Sequence, residues 1–434
     1  MTDDTSMQRV LEVEAFLQSC RSDDPAGAHW SRVPGGSAAN RNLYHGSAGI
    51  ALFQLELHRA TGEQRFLDEA IAAADDILAF LDGRDDVSIA FYSGLPGYLF
   101  VLDMVAEESG LERFRLGAIR IVQSMASQAT PLGAGMGWVE PMPFSDITGL
   151  TGDREVLDLS IGAAGAGLAF LYAHRRQLDG RALDWARRTA DRLMEMATET
   201  PDGLNWLMMA DMPFEFTAPN FAHGAAGVGY FLADLFRATN EQNYLDAAIA
   251  AAGFVMAHAA PCGDGLLVCH TEEQPGLQYL GVCHGPPGSG RLMFLLHQIT
   301  GDESWLTWVH ANMLGLVATG APEKRTRGLW QNFGQCCGDA GIGDYAISLH
   351  RATGRQDYLD LARRIEAVVL DHSDLTDGRR SWSQAEHRNR PDFIETQTGY
   401  MQGAAGIASF LLHLATVDED TPSKLALPDS PFVQ

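Results

Sequence analysis

A Gly-x-x-Gly text recurs seven times along this 434-residue chain, and that repetition constrains the fold more than any other feature. The copies are Gly46-Ser47-Ala48-Gly49, Gly94-Leu95-Pro96-Gly97, Gly162-Ala163-Ala164-Gly165, Gly224-Ala225-Ala226-Gly227, Gly285-Pro286-Pro287-Gly288, Gly338-Asp339-Ala340-Gly341 and Gly403-Ala404-Ala405-Gly406. Successive first glycines stand between 48 residues apart (46 to 94) and 68 residues apart (94 to 162), room for two helices and two loops. A second text sits between them. Leu57-His58-Arg59-Ala60-Thr61-Gly62 is matched by Leu235-Phe236-Arg237-Ala238-Thr239-Asn240 and by Leu349-His350-Arg351-Ala352-Thr353-Gly354. Gly or Asn after such a run closes a helix, because both tolerate the left-handed conformation. Each repeat can bury its apolar face only on its neighbours, so the pattern predicts an all-α ring of seven inner and seven outer helices. The ring reads as one domain over residues 1–434, with repeats from about residue 40 to 416. A short helical region precedes it, and a flexible tail follows from Val417.

Hydrophobic residues make up 46% and charged residues 20%, ample for a large core. No apolar run of about 18 residues appears, and Met1 to Arg9 carries acids where a signal sequence would be basic. The expected location is the cytoplasm, with no membrane span. A net charge of −25 argues against nucleic acid as a partner, since phosphate contacts need a basic face. It suits a basic or neutral peptide, or simply solubility.

If the glycine loops share one end of the ring, the residues just before them converge on its mouth: His45, Ser93, Ile161, His223, His284, Cys337 and Gln402. The fifth and sixth loops read Gly281-Val282-Cys283-His284-Gly285 and Gly334-Gln335-Cys336-Cys337-Gly338. Adjacent repeats bring Cys283 beside Cys336 and Cys337. Three thiolates with an open fourth position suit zinc rather than a harder cation. His284 is the rival ligand. Cys262 and Cys269, outside the repeat frame, read as ordinary thiols. His58, His297 and His350 recur in the helix-end text and belong to the scaffold. His45 also reads as structural, its repeat being distant in the ring from the cysteine pair.

The series of His/Ser/Cys-Gly-x-x-Gly loops, with Cys-His-Gly and Cys-Cys-Gly late in the chain, resembles the lanthionine synthetase C-like cyclases. The resemblance runs from Tyr44 to about Leu414. It implies an α/α toroid holding one zinc ion per chain, and an activity that adds a precursor-peptide cysteine to a dehydrated Ser or Thr. Residue by residue, it makes Cys283 and Cys336 zinc ligands. Cys337 becomes the third, where many members have His. The position of His284 is often Tyr. His223 matches a general acid or base, and Asp158 an acid of the third repeat able to orient and charge that imidazole. The resemblance further implies a dehydrated precursor peptide as substrate, a separate dehydratase, and a transporter as a further partner.

Some members carry an inserted small domain, for which the widest loop, Pro131 to Leu157, leaves little room. The same toroid also serves non-catalytic zinc proteins that bind thiols or peptides. A glycosidase on such a barrel would need two facing carboxylates, and the mouth positions supply none.

Overall fold

The computed structural model describes residues 4–141, 149–212, 216–419 and 423–432. Fourteen helices are present among them. Seven begin at the glycine loops: α2 (Ser47–Thr61), α4 (Leu95–Ser109), α6 (Ala163–Arg175), α8 (Ala225–Thr239), α10 (Pro286–Thr300), α12 (Asp339–Thr353) and α14 (Ala404–Ala415). They are buried on nearly every side over their first three turns, as inner helices must be. Each packs on the next, and α14 returns to α2, closing the ring.

Outer helices follow the inner ones: α3 (Gln64–Leu81), α5 (Glu112–Gln128), α7 (Ala182–Glu195), α9 (Gln242–Ala257), α11 (Glu303–Ala318) and α13 (Gln356–Asp371). The inward stripe of α7, formed by Trp185, Ala186, Thr189, Ala190 and Leu193, follows the helical period. The seventh outer helix comes from the other end of the chain. Helix α1 (Asp4–Ser19) packs on α14, so the two ends of the described chain share one repeat.

All the loop glycines but Gly97 answer to close backbone approach. A Cβ on Gly224 would lie 1.9 Å from the Ala218 carbonyl oxygen, and one on Gly227 would lie 2.1 Å from that of Phe221. The helix-end text works as read, with Gly62 at φ 70° and Asn240 at φ 59°.

Short antiparallel ribbons, not foreseen, follow most outer helices, as at Thr198–Thr200 with Gly203–Asn205. They carry a device repeated four times. The indoles of Trp30, Trp138, Trp206 and Trp382 each donate to the carbonyl thirteen residues earlier, on Leu17, Met125, Leu193 and Val369. Those carbonyls lie in the last turns of outer helices, where intrahelical partners run out. Trp206→Phe leaves the Leu193 carbonyl with only its 3.2 Å bond from the Met196 amide and opens a void, at an expected cost of about 1–2 kcal/mol read from the urea midpoint.

The expectation of a flexible tail does not hold for residues 423–432. Leu425 and Asp429 are buried. The Leu425 amide donates to Glu56 of α2 at 2.9 Å, and Lys424 reaches Asp344 of α12 at 3.2 Å. Asp429 accepts from Tyr92 at 2.7 Å and pairs with Arg291, while the Phe432 ring packs on Phe294 and Tyr345. This segment plugs the lumen from the end where the inner helices finish. Residues 142–148 of the widest loop and 420–422 of the tail lie outside the described residues.

Candidate metal centre and catalytic site

A closed circle of main-chain hydrogen bonds sets the mouth. Tyr44 N donates to Tyr92 O, Phe91 N to Ser160 O, Ser160 N to Ala222 O and Ala222 N to Cys283 O. Cys283 N then donates to Cys336 O, Cys336 N to Met401 O, and Met401 N to Tyr44 O. All but Phe91 stand two residues before the first glycine of their repeats. Each backbone is thereby tied to its neighbour's, which fixes where the next side chain points.

Cys283 and Cys336 hold this position in adjacent loops, and Cys337 follows. Their sulfurs lie 3.5 Å (Cys283 to Cys337) and 3.4 Å (Cys336 to Cys337) apart. All three are within 4.8 Å of one another. Tetrahedral zinc with Zn–S bonds of about 2.3 Å needs sulfurs about 3.8 Å apart, so the cluster is close to the required size. The electrostatics point the same way. Hydrogen bonds from the Cys283 and Cys337 thiols pull the Cys336 pKa well below the ordinary thiol value. The Cys283 thiol is pushed up through its bonds to Cys336 and Cys337. Cys337, though its contact with Cys283 pulls the other way, ends up raised beside Cys336 and by burial. A soft dication bound by the three sulfurs would release the protons they still carry.

Outer groups hold the cluster. The Gln402 amide accepts from Asn332 at 2.7 Å, donates to the Tyr44 hydroxyl at 2.8 Å, and lies 3.6 Å from Cys337 Sγ. Such supports orient metal ligands. Gln402 and Tyr44 belong to the repeat frame, yet nothing in their residue type marked them.

His223 and Asp158 come together although 65 residues separate them. Asp158 is buried and accepts from the Ile161 amide at 2.8 Å through Oδ1, while Oδ2 takes Nδ1 of His223 at 2.7 Å. The bond puts a proton on Nδ1 and leaves Nε2 for the cavity. Burial disfavours the imidazolium, but the Asp158 charge and hydrogen bond, helped by Cys336, outweigh it and raise the His223 pKa.

His223 and the three cysteines line a cavity of about 410 Å³. His45 lines it too, which corrects its reading as a remote structural residue. Ring closure sets the first loop beside the seventh, only two steps from the sixth. Nε2 of His45 meets Glu386 at 3.2 Å. Glu386 is a mouth carboxylate that the repeat frame missed, because it hangs from the loop after Ser383–Ala385. Despite burial, its bonds to His45 and Gln397 hold its pKa at about 2.

His284 turns away from the sulfur set. Its Nδ1 meets Nδ1 of His270 at 2.7 Å, and His270 stacks on Tyr279 with ring centroids 4.4 Å apart. Burial, reinforced by neighbouring positive charge, lowers the pKa of His284 well below the usual range and that of His270 to about 4. His270 also lay outside the repeat frame. Cys262 and Cys269 join no ligand cluster among the described residues.

A model of the family described as lanthionine synthetase C-like protein matches residues 37–427. The chain belongs to that family. Among solved structures it is similar to a nisin cyclase, at 13% identity and TM-score 0.63, covering 99% of this chain and 96% of that one. A D-mannose isomerase follows at 15% identity and TM-score 0.53, covering 95% and 98%. A cellobiose 2-epimerase from Bacillus thermoamylovorans shows 11% identity and TM-score 0.52, covering 96% and 100%. At such identities the likeness shows the toroid alone, a fold that carries sugar isomerisation as well. No helix among the described residues is long and apolar enough to cross a membrane.

Proposed function

We propose that this lanthionine synthetase C-like protein is a zinc-dependent peptide cyclase, joining cysteine thiols of a dehydrated precursor peptide to dehydroalanine or dehydrobutyrine. The observation that carries this reading is the meeting, on one cavity, of a three-sulfur cluster and an imidazole held by a buried carboxylate. Cys283, Cys336 and Cys337 would hold one zinc ion. When bound, zinc lowers the pKa of an incoming thiol so that it reacts as thiolate at neutral pH.

The addition forms a bond from sulfur to the β-carbon, and the π pair of the alkene moves toward the α-carbon as an enolate. That carbon then takes a proton. His223, charged and aligned by Asp158, offers one from Nε2. The cavity walls give the peptide an apolar surface on which ring-closing conformers are held near the reacting atoms. In this reading a separate dehydratase acts before the cyclase in the cytoplasm, and a transporter exports the product.

The test is a peptide carrying one cysteine and one dehydroalanine, followed by thiol alkylation and mass spectrometry. Wild type should remove the alkylatable thiol. His223→Asn should slow that loss about 10²–10⁴-fold with bound zinc unchanged. A wild-type protein that binds zinc and the peptide yet leaves the thiol alkylatable would be the family's binding-protein alternative, not a cyclase.

A further inference from the structure

The chain carries 56 acidic residues against 31 basic ones, so cations should be spoken for. Most interior-facing arginines are: Arg41 holds Asp76, Arg291 holds Asp429 and Arg325 holds Asp339. The loop Glu386-His387-Arg388-Asn389-Arg390 breaks this pattern. It rims a second cavity of about 320 Å³ that shares Cys283, Cys337 and His223 with the first. Arg388 donates through Nε to the Tyr279 hydroxyl at 2.8 Å, and its guanidinium lies 5.8 Å from the centre of the Tyr279 ring. Among the described residues, neither Arg388 nor Arg390 has a carboxylate within ion-pair distance. The loop's own acid, Glu386, is engaged by His45, Arg32 and Gln397. Opposite the arginines the cavity is apolar, with Leu150, Met208, Phe216 and Trp330. Three residues beyond Arg390, Phe393 is 55% exposed, more than any other large apolar side chain described.

We propose that Arg388 and Arg390 form a carboxylate-binding subsite at the mouth, selecting peptides that carry an acidic group near the reacting cysteine. This deepens the cyclase reading and rests on it for the peptide class. With no carboxylate beside them among the described residues, Arg390 and the terminal nitrogens of Arg388 are open to a ligand carboxylate, Nε of Arg388 being held by Tyr279. Tyr279 holds Arg388 in place beforehand, which lowers the ordering cost of binding. The overall −25 charge would favour a basic peptide at long range, but within a Debye length of about 8 Å the local arginines dominate. The carboxylate has two possible sources, an Asp or Glu side chain or the peptide's own C-terminus.

Fluorescence anisotropy with a labelled peptide keeping its cysteine, and with Ala for the dehydrated residue, separates these without needing turnover. A peptide with Glu beside Cys should bind wild type about tenfold more tightly than its Gln counterpart at low salt. Amidating the C-terminus should leave that difference intact if the side chain is read, and a loss on amidation alone assigns the subsite to the terminus. Arg388→Ala/Arg390→Ala should bring the Glu peptide down to the Gln level, and Arg388→Glu should favour a Lys peptide instead. Equal affinity of wild type for the Glu peptide and for the Gln peptide with an amidated C-terminus, or no binding of any form, overturns the proposal. Tight, charge-selective binding without cyclisation of the dehydroalanine peptide would keep the subsite and remove the cyclase reading.

Discussion

A Cys336→Ala variant is expected to keep its helical fold and lose its zinc, falling from about one ion per chain to near none. Cys336 is the one thiol of the three whose pKa its neighbours pull down, since it accepts from both. Removing it leaves Cys283 and Cys337, two thiols whose own pKa values are raised. Two such donors form no tetrahedral site. Thiol addition should fall at least about thirtyfold, because at neutral pH an unassisted cysteine is only a few per cent thiolate. Metal mass spectrometry with circular dichroism checks the first claim, and the alkylation assay the second. The same preparation tests whether the third sulfur matters. A Cys337→His chain that retains zinc carries one negative charge less at the site, so its addition rate should drop. An equal or faster rate would show that the extra thiolate does not activate the nucleophile.

Asp344→Ala should cost about 3–5 kcal/mol, because it strands buried positive charge. Asp344 on α12 meets His413 Nδ1 of α14 at 2.6 Å and Lys424 of the tail at 3.2 Å. His413 also lies 3.1 Å from Glu56 on α2, which accepts from the Leu425 amide. Three inner helices and the lumen plug thus meet at one polar knot. Burial alone would lower the pKa of His413, but the charges of Asp344 and Glu56 outweigh it and raise the value to about 9. Burial likewise opposes ionisation of Asp344, yet His413 and Lys424 pull its pKa below the ordinary carboxylate value.

The signs then define a window. The raised His413 contributes fully below its unfolded value of about 6.5, and that contribution is lost as pH climbs through 9. The depressed Asp344 contributes above its unfolded value of about 3.9 and is lost as pH falls. Wild-type stability against urea should therefore hold between about pH 4 and 6.5 and decline toward pH 9. Asp344→Ala should lie lower and decline less over that upper limb. A parallel decline in both chains would place the titration elsewhere.

Much of the architecture was legible in the seven glycine loops, because close backbone approach admits no side chain and so leaves a residue-type mark at every repeat. The helix-closing Thr-Gly and Thr-Asn texts were readable for the same reason: a left-handed residue restricts its own identity. The sulfur cluster could be anticipated since cysteines in adjacent repeats have few alternative explanations. The pairing of Asp158 with His223 was suggested by family resemblance, and only the fold supplied its 2.7 Å contact.

Other features left no such mark. Glu386 and His270 reach the mouth from hairpins and loops outside the repeat frame, so spacing could not point to them. His45 was misplaced because distance in a closed ring runs both ways round, whereas distance along a chain runs one way. The tail looked loose because a polar stretch such as Ser423, Lys424 and Asp429 is stable inside a protein only where buried counter-charges await it. The sequence by itself determined the repeat and its helices, both encoded in local backbone demands, and placed three cysteines in adjacent loops. Tertiary structure decided which charges meet, what fills the lumen and which arginines lack a carboxylate among the described residues, since those depend on atoms brought together by ring closure.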